Sequence, residues 1–205
     1  MQQLQRLRHK TLFEGPGSYF YNLLVPRFTL RLHEWVINDV AATPLQHEGG
    51  TVLDVGTGPG HLVLRLAHRL PHLSVRGVDI SADMVDLAWQ NAGREGLSAR
   101  VRFDVSTPDH LPCDDDSIDL VVSTLSTQHW HDVPAMLQEL ARVVRPGGQV
   151  WLYDMYVPPP PIEALRQAAQ HLPFSPPDVE RLPIQVGLLP IPSIIRSRLQ
   201  HHETE

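Results

Sequence analysis

A chain of 205 residues with 42% hydrophobic and 20% charged content has enough apolar material for one well-buried globular unit and is too short for two ordinary ones. Its formal net charge of -6 excludes a surface built to neutralise many phosphates, so nucleic acid is not an expected partner. The single cysteine, Cys113, rules out an internal disulfide framework, no apolar run approaches a membrane span, and the opening MQQLQRLRHK lacks a secretory apolar stretch, so a cytoplasmic protein without a membrane partner is expected.

The first fifty residues read as a helical cap. Within it, Tyr19–Ala42 carries one or two helices interrupted near Pro26, with Leu30, Trp35, Val36 and Val40 as expected buried contacts. From Thr51 to Asp154, short β-rich runs alternate with helical patterns, which predicts βαβ units stacked into a largely parallel sheet. TVLDV (51–55) has the length of a buried strand, and Leu62, Leu66 and Leu70 then mark one apolar face of a helix. Ser74–Asp79 forms a second strand, Ser81 caps a helix whose Met84, Val85 and Ala88 face inward, and Gly96 ends it. Strands near Val101–Val105 and at Ile118–Ser123 follow. A helix near Val133–Val144, stopped by Pro146-Gly147-Gly148, then leads to a strand at Gln149–Asp154.

Residues 155–205 differ in kind, because ten of the 19 prolines lie at or beyond Pro158 and exclude a long helix. Pro158–Pro161 reads as a stiff connector and Ile162–His171 as a short helix. Strands near Pro183–Leu189 and Ser193–Leu199 are expected to pair antiparallel at the sheet edge. The His201-His202 pair reads as a frayed end. The expectation is therefore a single domain over 1–205, with a cap (1–50), a core (51–154) and a proline-rich segment (155–205). Its fold class is α/β, Rossmann-like and doubly wound, a mostly parallel sheet with helices on both faces and an antiparallel edge hairpin.

The chemistry concentrates where the first strand meets Gly56-Thr57-Gly58-Pro59-Gly60. Such a turn aims backbone N–H groups at a ligand from a helix N-terminus, and glycine removes the Cβ that would keep the ligand away. A dinucleotide fingerprint, GxGxxG, requires glycine where His61 stands, so NAD is disfavoured. Asp79 closes the second strand 25 positions after Asp54, where a carboxylate can accept both hydroxyls of a ribose.

Four segments, VLDVGTGPGHL, GVDIS followed by Met84, LPCDDDSIDLVVS and ELARVVRPGGQVWLYD, stand here in the order of a known family. Over Thr51–Asp154 the sequence resembles the class I S-adenosylmethionine (SAM)-dependent methyltransferases, in particular the branch of ubiquinone- and menaquinone-biosynthesis enzymes and other small-molecule methyltransferases. The resemblance implies that SAM is the cofactor, with Asp54, Gly56, Thr57, Gly58 and Gly60 around its methionine part, Asp79 on the ribose, and Ile80 and Met84 flanking the adenine. Met84 fits a plain core position equally well. The resemblance also implies that Ser123 and Thr124 line the site at the end of strand four. One position departs from the family pattern: Thr107 stands where an aspartate usually touches the adenine amino group, which leaves recognition there to backbone groups around Thr107 and Pro108.

Methyl transfer needs mainly an acceptor lone pair held in line with the methyl carbon, because the sulfonium is already a good leaving group. His129, in the loop after strand four, is a candidate base for an acceptor that must lose a proton, with a packing or capping role as the alternative. Tyr19, Tyr21, Trp130, Tyr153 and Tyr156 are candidate walls of the acceptor pocket. Asp114-Asp115-Asp116 reads as a solvated turn and His129 with His131 lacks a third ligand, so no metal is expected. Ser123-Thr124-Leu125-Ser126 is not the signature of amide- or adenine-methylating enzymes, and the segment lacks the acidic groups of catechol-type and protein-arginine methyltransferases. A small organic acceptor remains by elimination. The competing readings are a SAM- or S-adenosylhomocysteine-binding regulatory module without turnover, and aminopropyl transfer in the same pocket.

Overall fold

The computed structural model describes residues 16–156, 160–182, 185–186, 189–190 and 193–202. Helix α1 (Pro16–Ala41) and the single turn α2 (Leu45–Glu48) precede strand β1 (Gly50–Val55). Helix α3 (His61–Arg69), strand β2 (Leu73–Asp79), helix α4 (Ala82–Arg94) and strand β3 (Val101–Val105) follow. Strand β4 (Ile118–Thr124) leads through a 3-10 turn (Thr127–His129) and helix α5 (Val133–Val143) into strand β5 (Val144–Met155). Helix α6 (Ile162–Ala169) and strands β6 (Asp178–Leu182), β7 (Gln185–Val186), β8 (Leu189–Pro190) and β9 (Ile194–Gln200) complete the described elements.

Local chemistry sets the helix starts. The Ser81 hydroxyl accepts the Met84 N–H at the head of α4, and the Asp132 carboxylate accepts the Ala135 N–H at 3.0 Å at the head of α5. Pro134 sits in the first turn of α5, where its missing N–H has no helical partner to lose.

Seven strands form one sheet in the order β3-β2-β1-β4-β5-β9-β6, parallel across β3 to β5 and antiparallel where β9 pairs with β5 and β6. Alternation along the strands divides the core. Val52, Trp151 and Tyr153 face α1, α3 and α4, whereas Leu53, Val55, Val150 and Leu152 face α5 and α6. Helices therefore cover both faces, as expected from the sequence. Helix α1 is tied to the far edge by Asp39, which accepts the Tyr153 hydroxyl at 2.7 Å and Arg196 at 2.6 Å, with Arg198 at 3.2 Å.

Several details differ from the sequence expectation. Helix α1 runs through Pro26, which forfeits one helical hydrogen bond without ending the helix. Leu30 and Met84 are exposed rather than inward, because the inner stripe passes through Leu32, Val36, Ile37 and Val40 in α1 and through Val85, Ala88 and Ala92 in α4. Strand β5 starts at Val144 and absorbs Pro146-Gly147-Gly148 as a shift of register against β4. The edge hairpin uses 178–182 against 194–200, with β7 and β8 pairing towards its tip, so it begins earlier than the expected 183–189 strand. Part of the Pro158–Pro161 connector lies outside the described residues. His201 is buried instead of frayed: its N–H donates to the Gly148 carbonyl at 2.9 Å, and its ring meets Phe174 edge-on at 5.4 Å.

Candidate active site

The strand order reverses between β1 and β4, whose connections leave in opposite directions, β1 towards β2 and β4 towards β5. A crevice opens outside the strand ends at such a point. The residues that converge there come from the glycine turn after β1, the end of β2, the loop after β3 and the loop after β4.

The glycine turn is fixed by the Gly56 and Thr57 N–H groups, which both donate to the Val78 carbonyl at 2.9 Å, and by the Gly60 N–H, which donates to the Thr57 carbonyl at 3.1 Å. Gly56, Gly58 and Gly60 all take positive φ, at 82°, 53° and 78°. The three differ in what surrounds them. A Cβ on Gly56 would meet the Ser126 Cβ at 2.8 Å and one on Gly60 would meet the Phe103 ring at 2.7 Å, whereas a Cβ on Gly58 would stand in open space. Gly58 is therefore the point where a ligand can approach the main chain.

Asp79 lies beside it. One carboxylate oxygen accepts the Gly58 N–H at 2.8 Å and the other accepts the Ser81 N–H at 2.9 Å, so this side chain joins the turn to the head of α4. Each oxygen retains a lone pair for a further donor. Around Asp79 three apolar side chains are exposed: Ile80 next in sequence, Met84 in the first turn of α4, and Val105, which pairs with Asp79 across the β2–β3 ladder. The Ser106 N–H donates to the Asp79 carbonyl at 2.9 Å, which carries Thr107 and Pro108 to the same edge.

Asp54 has a different environment. It is buried, and its Oδ1 has no hydrogen-bond partner among the described residues; the same holds for the Thr57 hydroxyl. Burial pushes the Asp54 carboxyl up to about 7; the Thr57 hydroxyl, close by but outside hydrogen-bonding geometry, opposes the rise and the Asp79 charge adds to it. An unfolded aspartate titrates near 4, so between roughly pH 4 and 7 the unfolded chain loses this proton before the folded one, and stability falls as pH rises. The whole contribution is present below about pH 4 and amounts to roughly 2–4 kcal/mol. Asp54→Asn is accordingly expected to flatten the decline of melting temperature between pH 5 and 8 while weakening cofactor stabilisation. Parallel melting curves for the two proteins across that range would refute the assignment.

On the other side of the crevice, the buried Ser123 hydroxyl donates to the Val55 carbonyl at 2.8 Å and bonds the Ser126 hydroxyl. Leu125 takes φ 58°, a left-handed conformation that costs a non-glycine residue about 1–3 kcal/mol. Thr127 is buried, with its N–H donating to Asp154 Oδ1 at 3.2 Å. Asp154 is buried at the end of β5, and burial raises its carboxyl to about 6 against the lowering effect of Thr127. His129 ends the 3-10 turn with an exposed side chain.

The sequence-predicted residues thus collect along one edge of the sheet, but the aromatic wall does not form as expected. Tyr153 is buried in the core against Asp39, and Trp130 packs partly against the α5 and α6 face. Tyr156 is exposed beneath the Arg181 guanidinium, 4.2 Å from its ring centre, and the side chains of Tyr19 and Tyr21 lie outside the described residues. Sequence reasoning missed Ser126 and Asp154, and also His33, a buried histidine on α1 lowered to about 4 by burial, Arg65 and His61. Concavities of about 390 Å³ on the β2–β3 edge and about 260 Å³ beside α6 touch none of these groups, so convergent chemistry identifies the site better than hollow volume does.

Residues 52–148 match the family model described as a methyltransferase domain. A demethylmenaquinone methyltransferase of Deinococcus radiodurans is 34% identical over 154 residues, which cover 75% of this chain and 62% of that protein. A ubiquinone/menaquinone biosynthesis C-methyltransferase of Geotalea daltonii is 33% identical over 53% of this chain and 47% of its own length. The chain spans about half to three fifths of the length of these relatives. A SAM-dependent methyltransferase structure from Methanococcus maripaludis shares the fold at a TM-score of 0.72, with 18% identity and coverage of 94% of this chain and 95% of that one. With the glycine turn, the two carboxylates and the sheet order in agreement, the chain carries a methyltransferase domain over residues 52–148, set in a Rossmann-like fold.

Proposed function

We propose that this protein is an enzyme that transfers the methyl group of SAM to a small organic acceptor by in-line displacement. The observation that carries this reading is the pair of unlike carboxylates flanking the glycine turn. Asp54 is buried with an unpartnered oxygen, a fit for the cationic amine of a methionine group, and Asp79 is anchored by two backbone N–H groups with lone pairs left for adjacent ribose hydroxyls. The exposed Ile80, Met84 and Val105 offer apolar contact to a flat base. Asp54, Gly56, Thr57, Gly58 and Gly60 would hold the methionine part, and Asp79 the ribose. Ile80, Met84 and the backbone near Thr107 and Pro108 would hold the adenine, and Ser123 and Thr124 the floor at the end of β4.

When bound, SAM supplies the methyl carbon and its sulfonium leaving group. The protein then has to hold the acceptor atom in line and keep competing water away. The acceptor side is the loop from Leu125 to His129. In this reading His129, at the end of that loop, takes a proton from a hydroxyl or an acidic carbon as the new bond forms. The relatives named for quinone methylation make a reduced quinone ring the first acceptor to try. The lone cysteine, buried as a free thiol, suits a cytoplasmic setting, and among the described residues no helix is long and apolar enough to cross a membrane. We take residues 1–205 to work as one domain.

The test is incubation with methyl-labelled SAM, first with demethylmenaquinol and then with a cell extract, followed by separation of labelled metabolites. Label in a small molecule is the expected result, lost with Asp79→Ala and reduced with His129→Ala. If S-adenosylhomocysteine binds but no label leaves SAM in any mixture, the enzyme reading is wrong.

A further inference from the structure

The loop after β4 is held in a shape its backbone does not favour, and it is fastened at three places. Leu125, at φ 58°, donates its N–H to the Tyr153 carbonyl at 2.8 Å. The Ser126 hydroxyl bonds Ser123 and reaches the Val55 carbonyl at 3.4 Å, while its Cβ lies against Gly56. The third fastening comes from Asp154, whose carboxyl, buried at the end of β5, takes the Thr127 N–H at 3.2 Å.

These fastenings have different reach. The first is made by backbone alone, and the second belongs to the glycine turn that holds the cofactor. The third depends on one side chain whose hydrogen bond goes to Thr127 and not to the glycine turn or Asp79. Burying a carboxyl costs free energy that a neutral apolar residue would not. Helix formation in the 3-10 turn does not require it, because the His129 N–H already bonds the Ser126 carbonyl at 2.9 Å and the Trp130 N–H the Thr127 carbonyl at 3.0 Å. What Asp154 adds is the position of this turn relative to β5. An otherwise unpaired, buried Thr127 N–H pins the loop at its midpoint, two residues before His129 and two after Leu125.

We propose that Asp154 is a positioning residue for methyl transfer: through Thr127 it holds the 3-10 turn that follows the left-handed Leu125 against β5 and so sets the acceptor side of the crevice. This rests on the methyltransferase reading for its purpose but not for its geometry. Asp154 acts on the loop and leaves cofactor binding to Asp54, the glycine turn and Asp79.

The experiment compares the full-length wild type with Asp154→Ala, Asp154→Asn and Asp154→Leu. It uses S-adenosylhomocysteine as the binding probe and reads amide hydrogen exchange at residues 126–130. Asp154→Ala is expected to raise exchange in that loop about tenfold or more while changing the probe's affinity less than about threefold. In Asp154→Asn the amide oxygen still accepts the Thr127 N–H, so loop protection returns to within about twofold of wild type. Should Asp154→Ala fail to fold, Asp154→Leu, larger but branched at the same carbon and without an acceptor, gives the same reading. With an active acceptor, label transfer falls with the Ala and Leu variants and recovers with Asn. Unchanged loop exchange in both Ala and Leu variants overturns the proposal, as does a loss of probe affinity as large as the rise in exchange. Absence of label transfer in the wild type defeats the enzyme reading alone, since the exchange pattern is read without turnover.

Discussion

Asp79→Ala is expected to abolish the thermal stabilisation that S-adenosylhomocysteine gives the wild type, with affinity falling by about a hundredfold or more. The magnitude follows from what one carboxylate does on both sides. Towards the ligand, two charge-assisted hydrogen bonds to adjacent hydroxyls are each worth about 1.5–3 kcal/mol, so the loss of both exceeds the roughly 2.7 kcal/mol that a hundredfold change requires. Towards the protein, the Gly58 and Ser81 N–H groups lose their acceptor, which loosens both the glycine turn and the head of α4. The free variant should therefore melt lower than wild type, but only slightly, because Asp79 is partly exposed and water can replace it. Asp79→Asn separates the two effects: an amide oxygen can still serve one backbone N–H, yet the negative charge is gone, so melting recovers more than affinity does. Titration calorimetry with S-adenosylhomocysteine and a melting curve without it decide the matter. Affinity within about fivefold of wild type in Asp79→Ala would remove this residue from the cofactor site and, with it, the main support for the orientation proposed here.

The parts of this structure that sequence reveals are those set by short-range pattern. Val52 to Val55 reads as a buried strand because a doubly covered strand is apolar on both faces, and Leu62 and Leu66 read as a helix face because they recur at helical spacing and both are buried. Asp79 was visible because it ends a strand at a fixed distance from a glycine turn. Asp154 ends a strand too, but nothing local tells that its carboxyl meets Thr127, 27 positions earlier; that contact depends on β5 lying beside β4. Met84 sits one position before Val85 in a helix whose buried stripe runs through Val85, Ala88 and Ala92, so phase turns it outward where residue type suggests the core. His201 failed for the opposite reason. Its place near the end of the sequence suggests fraying, yet the antiparallel register of β9 on β5 carries it to Gly148.

Gly60→Ala and Gly58→Ala are expected to fail in opposite ways. Gly60 takes φ 78°, and an added methyl would stand 2.7 Å from Phe103 Cζ and 2.9 Å from the Ala88 Cβ. Phe103 cannot give way freely, because its ring packs edge-on against Trp89 at 5.4 Å and its carbonyl accepts the Trp89 indole N–H at 3.2 Å. Left-handed strain of about 1–2 kcal/mol adds to an overpacking cost of about 1–3 kcal/mol, for a total near 2–5 kcal/mol. In a chain of this size that lowers the melting temperature by roughly 5–15 °C. Gly58 has φ 53° and no neighbour within 4 Å, so its alanine costs the fold only about 1–2 kcal/mol of backbone strain. That methyl, however, occupies the open face beside Asp79, where the bound methionine and ribose would come closest to the main chain. Gly58→Ala should therefore keep most of its thermal stability and lose at least about tenfold in affinity for S-adenosylhomocysteine, while Gly60→Ala loses stability first. If Gly58→Ala binds as well as wild type, the ligand does not approach the backbone at this turn, however closely the motif matches its family.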